Sequence, residues 1–309
     1  MTFISESILD RKRIKFIVNP FSGWSGNEGL HKLIKEHLDH DKYDYEYQET
    51  EYKGHAIELS ALAVKDDFDI IVACGGDGTV NEVAQSLVNT DKVLGIIPAG
   101  SGNGFAMYIG LGRNSKKAIQ ILNEAEPRRI DSCKVNEKFF LNLAGVGFDA
   151  LIAYKADSGK KRGLQMYLGM ISKEMIKFKA EHFKVEIDDG TIEGKFTTIA
   201  VANAAMYGYN FTVAPSADLS DGLMDVVFVH KAPLLRTLSA SWRMLNNSLN
   251  KSKLVSVKRS KKVVISTENP YYLHLDGESF SFERPLRFEI IPDSINVLFP
   301  AKQPAEDLK

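Results

Sequence analysis

FDIIVACGGDGTVNEVAQSL, residues 68–87, is the stretch on which the fold turns. FDIIVAC (68–74) is an almost unbroken apolar run, the pattern of a strand buried on both faces. From about 79 to 88 the period changes, and Val80, Val83, Ala84 and Leu87 fall on one side of a helix. Between the two lie Gly75, Gly76 and Gly78, where the missing Cβ lets the chain turn tightly. Strand, glycine turn and helix form the repeating unit of a parallel sheet. Outward, the unit recurs. IKFIV (14–18), YDYEYQ (43–48) and VLGIIP (93–98) read as strands. Residues 27–38, 54–66, 103–109 and 115–123 read as helices, the first with Leu30, Leu33, Ile34 and Leu38 as its stripe. The alternation predicts a doubly wound α/β domain with helices on both faces.

The pattern changes near residue 130. Short alternating segments follow at 139–144, 182–188, 195–202, 223–229, 262–266, 271–275, 280–283, 286–290 and 295–299. Turn signals such as Asp188-Asp189-Gly190 and Asp276-Gly277 separate several of them. They predict a mostly antiparallel β domain. Two helices interrupt it, one at 163–178 and one starting at Pro233 with Leu234, Leu235, Leu238, Trp242 and Leu245. The polar chain after Pro300 reads as a frayed tail.

Length and charge agree. At about 150 residues per domain, 309 residues make two domains. Forty acidic against 39 basic residues leave a net charge of −1, which argues against a nucleic-acid partner. Hydrophobic residues at 44% and charged residues at 26% are ordinary for a globular chain. No run reaches the ~18–20 apolar residues that span a bilayer. The N-terminus MTFISESILDRKR lacks a signal-peptide layout. Cys74 and Cys133 read as reduced buried thiols, so the expected location is cytoplasmic.

Ligands of doubly wound sheets sit beyond the carboxyl ends of the strands. Three loops fall there: NPFSGWSGN (19–27), GGDGTVNEV (75–83) and PAGSGNG (98–104). In the second, backbone N–H groups and a helix N-terminus favour a phosphate. Asp77 repels such a group directly but fits if Mg²⁺ stands between them, and Thr79 adds a hydroxyl. A plain glycine turn with Asp77 as helix cap uses the same residues. In the third loop, Gly100, Gly102 and Gly104 flank Ser101 and Asn103. No Gly-Lys-Ser/Thr follows, so this is not a Walker A loop. Asp276-Gly277-Glu278 reads as a type I′-like hairpin turn, Asp221-Gly222 as a loop turn and Asp149 as a solvated strand-end acid.

GGDGTVNEV resembles the nucleotide-binding signature of the diacylglycerol kinase catalytic-domain superfamily, which includes sphingosine and ceramide kinases and bacterial diacylglycerol kinase-like lipid kinases. NPFSG (19–23), TEYKGHA (50–56), IPAGSGNGFA (97–106), LNLAGVGFDA (141–150), APSADLSDGLMDV (214–226) and LHLDGE (273–278) resemble its other motifs in order. The resemblance covers roughly residues 14–299 and implies an ATP-dependent lipid kinase. The implied fold is an N-terminal α/β domain like that of phosphofructokinases and NAD kinases, followed by a β-sandwich, with the site in the cleft between them. The boundaries expected are 12–130 for the nucleotide-binding domain, 131–292 for the β-sandwich and 293–309 for a tail that in such proteins can return to the first domain.

By the same resemblance, Asn19, Pro20, Phe21, Ser22, Gly23, Thr50, Gly75, Gly76, Asp77, Gly78, Thr79, Val80, Asn81 and Ser101 match nucleotide-contacting positions. Asp77 organises the ATP-bound Mg²⁺, and Glu278 is the general base that takes the proton of the lipid hydroxyl. Asp218, Asp221 and Leu223 match a structural Mg²⁺ site, with a carboxylate from Asp221 and backbone carbonyls from the other two. Asp149 matches an acid that recognises a lipid headgroup.

The chain departs from many bacterial members after the second glycine loop, where Asn103-Gly104 stands for Asn-Asp. PAGSGNG is closer to the sphingosine and ceramide kinase style, so the lipid is left open among diacylglycerol, a sphingoid base and related lipids. The expected partners are this lipid and a peripheral membrane surface, and a homo-oligomer is compatible with the sequence. Basic groups at Lys155–Arg162 and Lys251–Lys262 suit an anionic surface or serve as solvated faces. Two alternatives share the first motifs: a soluble NAD kinase-type enzyme, and a catalytically silent lipid-binding module.

Overall fold

A computed structural model describes residues 11–23, 27–157, 164–208, 211–231, 246, 248–249, 252–268, 272–281 and 285–301. They group into two compact units. Of the described residues, the first holds those from 11 to 100, Ile109–Arg129 and those from 295 to 301. The second holds Ser101–Tyr108 and Ile130–Ser294.

The first unit is built from β1 (Lys12–Val18), α1 (Asn27–His37), β2 (Tyr43–Glu49), α2 (His55–Lys65), β3 (Ile70–Gly75), α3 (Asp77–Gln85) and β4 (Val93–Pro98). Helix α5 (Ser115–Leu122) completes it, and Asn114 caps that helix by accepting from Lys117 N at 3.0 Å. The strands pair in parallel in the order β4–β3–β1–β2. Every residue of β3 is buried, as its apolar run predicts. Leu30 and Ile34 of α1 and Ile119 of α5 pack on Ile14, Phe16, Val72 and Ile97 of the strands. This is the α/β domain expected from the sequence.

The second unit begins with α4 (Gly104–Tyr108), β5 (Glu126–Val135), β6 (Lys138–Phe140), β7 (Leu143–Gly147), α6 (Phe148–Asp157) and α7 (Leu164–Lys177). The strands β8 (Glu181–Ile187), β9 (Gly190–Ala202), β10 (Met206–Gly208), β11 (Phe211–Thr212) and β12 (Met224–His230) follow. The last are β13 (Val255–Ser260), β14 (Lys262–Ser266), β15 (Tyr272–Leu275), β16 (Glu278–Ser281) and β17 (Leu286–Phe299), whose residues from Ile295 on belong to the first unit. Pairing is antiparallel in the order β16–β15–β7–β9–β8–β14–β17. The second half of β9 also pairs with β12, which pairs with β13. Phe140, Phe183, Phe196, Phe228 and Phe288 fill the core. The antiparallel β unit expected from the sequence is therefore present.

Four local readings are corrected. The segments 286–290 and 295–299 are one strand, β17, in which Asp293 (φ 46°) absorbs the irregularity that looked like a break. Its Leu286–Glu289 part pairs with β14, and Asn296–Val297 pair in parallel with β4. Strands β5 and β13 were not expected: the first opens with four exposed residues, and the alternation that opens the second, Val255 to Lys258, is short and ends in the adjacent cations Lys258 and Arg259. The reading of Asp149 as a solvated strand-end acid gives way: it is mostly buried and lies in helix α6, which follows Gly147 at φ 95°. The helix expected from Pro233 lies outside the described residues, as does most of the tail. No helix among the described residues is long and apolar enough to cross a membrane.

Candidate functional site

In the first unit the strand order places the ends of β4, β3 and β1 side by side, and the loops after them lock together. Asn19 N donates to Cys74 O at 2.9 Å, and Ala99 N donates to Gly75 O at 2.8 Å. Asn19 Nδ2 donates to Thr79 Oγ1 at 3.2 Å, which joins the first loop to α3. Asn19 Oδ1 accepts from Phe21 N at 2.9 Å, and Ser22 Oγ donates to Asn19 O at 2.7 Å. Glycines lie where these loops meet, and at Gly23 no other residue fits. A Cβ on Gly23 (φ 73°) would lie 2.6 Å from Ala99 O, and one on Gly76 would lie 3.2 Å from Gly100 Cα. The result is a shallow backbone cradle of the kind that accepts phosphate oxygens.

Asp77 is the first residue of α3, and Gly76 is the cap, with no side-chain cap bond. The plain cap reading of Asp77 therefore gives way: its carboxylate sits in the first turn, where the helix dipole stabilises negative charge. Thr79 and Val80 are buried, and Val80 N donates to Gly76 O at 3.1 Å. Val80 thus offers packing and no side-chain chemistry. Asn81 Oδ1 accepts from Gln85 Nε2 at 2.8 Å. Thr50 is buried at the end of β2, its N–H donating to Val18 O at 2.8 Å. Phe21 is 78% exposed beside the half-buried Pro20. Glu82, which the sequence did not single out, accepts from Gly54 N at 3.0 Å and ties the TEYKGHA segment to α3. Ser101 is exposed and groups with the second unit.

In the second unit Asp276 (φ 48°) and Gly277 (φ 90°) form the two central positions of the β15–β16 hairpin, the type I′ pattern expected from Asp-Gly. Asp276 does more than turn the chain. Its carboxylate, 7% exposed, accepts from Leu141 N (2.9 Å), Asn142 N (2.9 Å) and Leu143 N (3.0 Å). Asp276 N donates back to Leu143 O at 2.9 Å. The hairpin that carries the partly exposed Glu278 is thereby fixed to the start of β7.

Asp149 lies in the first turn of α6. Its Oδ2 accepts from Tyr207 Oη at 2.7 Å and from His274 Nε2 at 3.0 Å, and its Oδ1 accepts from Ala150 N at 2.8 Å. The departure at Asn103-Gly104 has a steric cause. A Cβ on Gly104 would lie 2.6 Å from Met206 O and 2.7 Å from Tyr207 O, so the approach of β10 excludes any side chain there.

Asp218 and Asp221 sit in the turn before β12. Asp218 Oδ1 accepts from Ser220 N and Oγ, and Asp221 Oδ1 accepts from Leu223 N at 3.0 Å. Arg259 reaches this turn from β13. Its guanidinium lies 3.5 Å from Asp221 Oδ2 and 3.0 Å from Asp225 Oδ1, and donates to Ser216 O at 2.8 Å. Asp131 accepts from Gly222 N and Asp293 N, both at 2.8 Å. Burial pushes the carboxyls of Asp131 and Asp225 up; for Asp225 the Ser216 hydroxyl and Arg259 oppose it. Burial and the charges of Asp218, Asp225 and Asp221 push the Tyr108 hydroxyl up to about 12, so it stays protonated and donates to Ala217 O at 2.6 Å. Asp221 with the backbone carbonyls of Asp218 and Leu223 is an all-oxygen donor set that suits Mg²⁺. Arg259 competes with such an ion for Asp221. Among the described residues, no three His, Cys, Asp or Glu side chains converge on a metal-sized space.

A stability prediction follows from this turn. Asp225 is 2% exposed, so Arg259→Met leaves a buried carboxylate without its cation. The expected loss is about 1–2 kcal/mol near neutral pH, less than for a fully buried pair because Arg259 is 45% exposed and Ser216 still donates to Asp225. A carboxyl whose folded pKa is raised contributes fully below its unfolded pKa and loses that contribution as pH rises through the folded value. The loss should therefore shrink between a neutral and an acidic pH, as Asp225, whose carboxyl burial holds above its ordinary range, takes up a proton. Urea unfolding at the two pH values checks this, and an equal loss at both would refute it.

The comparisons with known proteins agree with this geometry. The diacylglycerol kinase catalytic domain matches residues 13–135, and the YegS C-terminal NAD kinase beta sandwich-like domain matches residues 142–299. A diacylglycerol kinase of Bacillus subtilis is 28% identical over 309 residues, covering 96% of this chain and 99% of that protein. A diacylglycerol kinase of Staphylococcus saprophyticus is 29% identical over 301 residues, covering 94% of this chain and 96% of that protein. A crystal structure of a diacylglycerol kinase from Bacillus anthracis superposes with a TM-score of 0.72 at 20% identity, covering 95% of this chain and 98% of that one, and so shares the fold. With both halves matched in order, an α/β domain followed by a β-sandwich, the chain belongs to the diacylglycerol kinase catalytic-domain superfamily and is a kinase with an alcohol group as acceptor.

Proposed function

We propose that the chain is an ATP-dependent lipid kinase that transfers the γ-phosphate to the hydroxyl of diacylglycerol, a sphingoid base or a related lipid. The observation that carries this reading is the cradle of the first unit, where the loops after β1, β3 and β4 are bonded to one another and to the start of α3, and meet so closely that a Cβ on Gly23 would run into Ala99 O at 2.6 Å. Asn19–Gly23, Thr50, Gly75–Asn81 and Ser101 hold the nucleotide. Backbone N–H groups donate to the phosphate oxygens, and the Asn19–Thr79 bond keeps the first loop against α3. Asp77 holds Mg²⁺, which when bound neutralises charge on the phosphates. Phosphoryl transfer depends mainly on such positioning and neutralisation. Glu278 accepts the proton of the attacking hydroxyl. A second Mg²⁺ at Asp221, Asp218 and Leu223 steadies the turn before β12.

A lipid acceptor calls for contact with a bilayer surface. The end of α7 supports it: Ile176, 75% exposed, stands between Lys173 and Lys177 in sequence. Each cation near an anionic leaflet contributes about 1 kcal/mol.

The test is transfer of radiolabelled γ-phosphate with Mg²⁺ in mixed micelles of diacylglycerol, monoacylglycerol, sphingosine, dihydrosphingosine or ceramide, with NAD in parallel and Asp77→Asn as control. Labelled lipid that disappears in the control is expected. Label in NAD, or in no acceptor, overturns the reading.

A further inference from the structure

Asp149 is mostly buried, its side chain 12% exposed, and both its oxygens are used inside the fold. Tyr207 and His274 converge on Oδ2 from two different strands. His274 is 2% exposed, and its Nδ1 has no partner among the described residues. The ring is therefore tied into the fold, among the described residues, through its Nε2–H bond alone. The pair also depends on its neighbour. Gly145 of β7 stands opposite His274, and a Cβ there would lie 2.1 Å from Asp149 Oδ2 and 2.7 Å from His274 Nε2.

The hairpin register separates this clasp from the head-group role. Leu273 and Leu275 turn to the core, so His274 turns the other way, toward α6. Glu278 pairs with Leu275, and Ser279 pairs with His274. Directly paired residues project to the same face. Glu278 and the Asp149–His274 pair therefore lie on opposite faces of one hairpin.

We propose that Asp149 is a positioning residue. It holds His274 from behind, and with it the strand that leads into the Asp276–Gly277 turn and Glu278; it does not read the lipid head. The role assigned to Glu278 rests on the lipid kinase reading above.

Four variants test it: Asp149→Asn, His274→Gln, His274→Leu and Gly145→Ala. Thermal unfolding and binding of a non-hydrolysable ATP analogue establish that each is folded. Displacing a reacting group by about 1 Å costs up to ~10²-fold. Asp149→Asn is thus expected to lower kcat roughly 10–100-fold, equally for every lipid used, with lipid KM little changed. Gly145→Ala removes no polar group and should reproduce that loss by forcing the pair apart. His274→Gln, whose amide N–H reaches the same oxygen, should retain most activity, and His274→Leu should not. A raised KM that differs between lipids, with kcat preserved, overturns the proposal in favour of head-group contact. Amide hydrogen exchange over residues 272–281 separates the two levels of inference. It should quicken in Asp149→Asn whichever acceptor the chain uses, and unchanged exchange overturns the clasp. Failure of the wild-type chain to label any lipid overturns the lipid reading alone.

Discussion

Glu278→Gln should lower phosphoryl transfer about 10²–10⁴-fold, the usual range for loss of a general base, and leave nucleotide affinity where it was. The substitution keeps the shape of the side chain and removes its charge, so packing at the start of β16 is conserved. A carboxylate is a weak base for an alcohol, so Glu278 does not act by basicity alone. Its effect comes from where it stands, at the first position after a type I′ turn whose register is fixed by the Leu275–Glu278 and His274–Ser279 pairs. A loose transition state moves little proton charge before the phosphoryl group has departed. If Glu278 only orients the hydroxyl, the loss should fall near the lower bound and KM for the lipid should rise with it. Single-turnover transfer with saturating nucleotide distinguishes the cases, and a loss below about tenfold would remove Glu278 from the chemistry. Asp77→Asn differs in kind. Because Asp77 stands in the first turn of α3, in the unit that holds the cradle, its loss should weaken Mg²⁺-dependent nucleotide binding itself.

Much of this arrangement was legible before the structure. Apolar runs such as residues 70–75 and 93–98 announce buried parallel strands, and the glycine run that starts at 75 announces a close approach, of Gly76 to the backbone of Gly100 and of Gly75 to the Thr79 side chain. Asp276-Gly277 announces its own turn type, because only residues tolerant of positive φ fit there. What remained hidden was contact between distant segments. Nothing in LHLDGE says that Asp276 will find three N–H groups about 135 residues upstream. Nothing in GFDA says that Asp149 will face a histidine 125 residues on. Asp131 and Arg259 likewise looked like ordinary charges. One proves to hold the turn at Gly222, and the other pairs with the buried Asp225. The strands missed, β5 and β13, share that cause: their order comes from neighbours in the sheet, and their own sequences carry charged residues on both faces. Gly104 shows the reverse case, a residue whose identity differed from the family pattern for a reason visible only in the approach of β10.

Asp276→Ala should be the most destabilising single change in the second unit, and should also abolish transfer. The carboxylate meets three N–H donors of buried or nearly buried residues, Leu141, Asn142 and Leu143, at 2.9–3.0 Å. Each buried donor left without an acceptor costs about 1–3 kcal/mol, so the three together point to a loss of roughly 3–6 kcal/mol, tempered where water reaches the vacated space. Alanine also fits poorly at φ 48°, where aspartate is better tolerated. Asn is the informative comparison. It keeps the turn conformation and one acceptor oxygen but brings an amide N–H toward donors, so it should recover the backbone part of the loss and little of the hydrogen bonding. Urea unfolding is therefore expected to rank the chains wild type, Asp276→Asn, Asp276→Ala in falling stability. Activity measured well below the unfolding transition should fall in both variants, because Glu278 stands two residues after Asp276 on the same hairpin. A variant with wild-type stability would show that the three bonds contribute nothing net. A destabilised variant with full turnover would show that the hairpin carries no catalytic group.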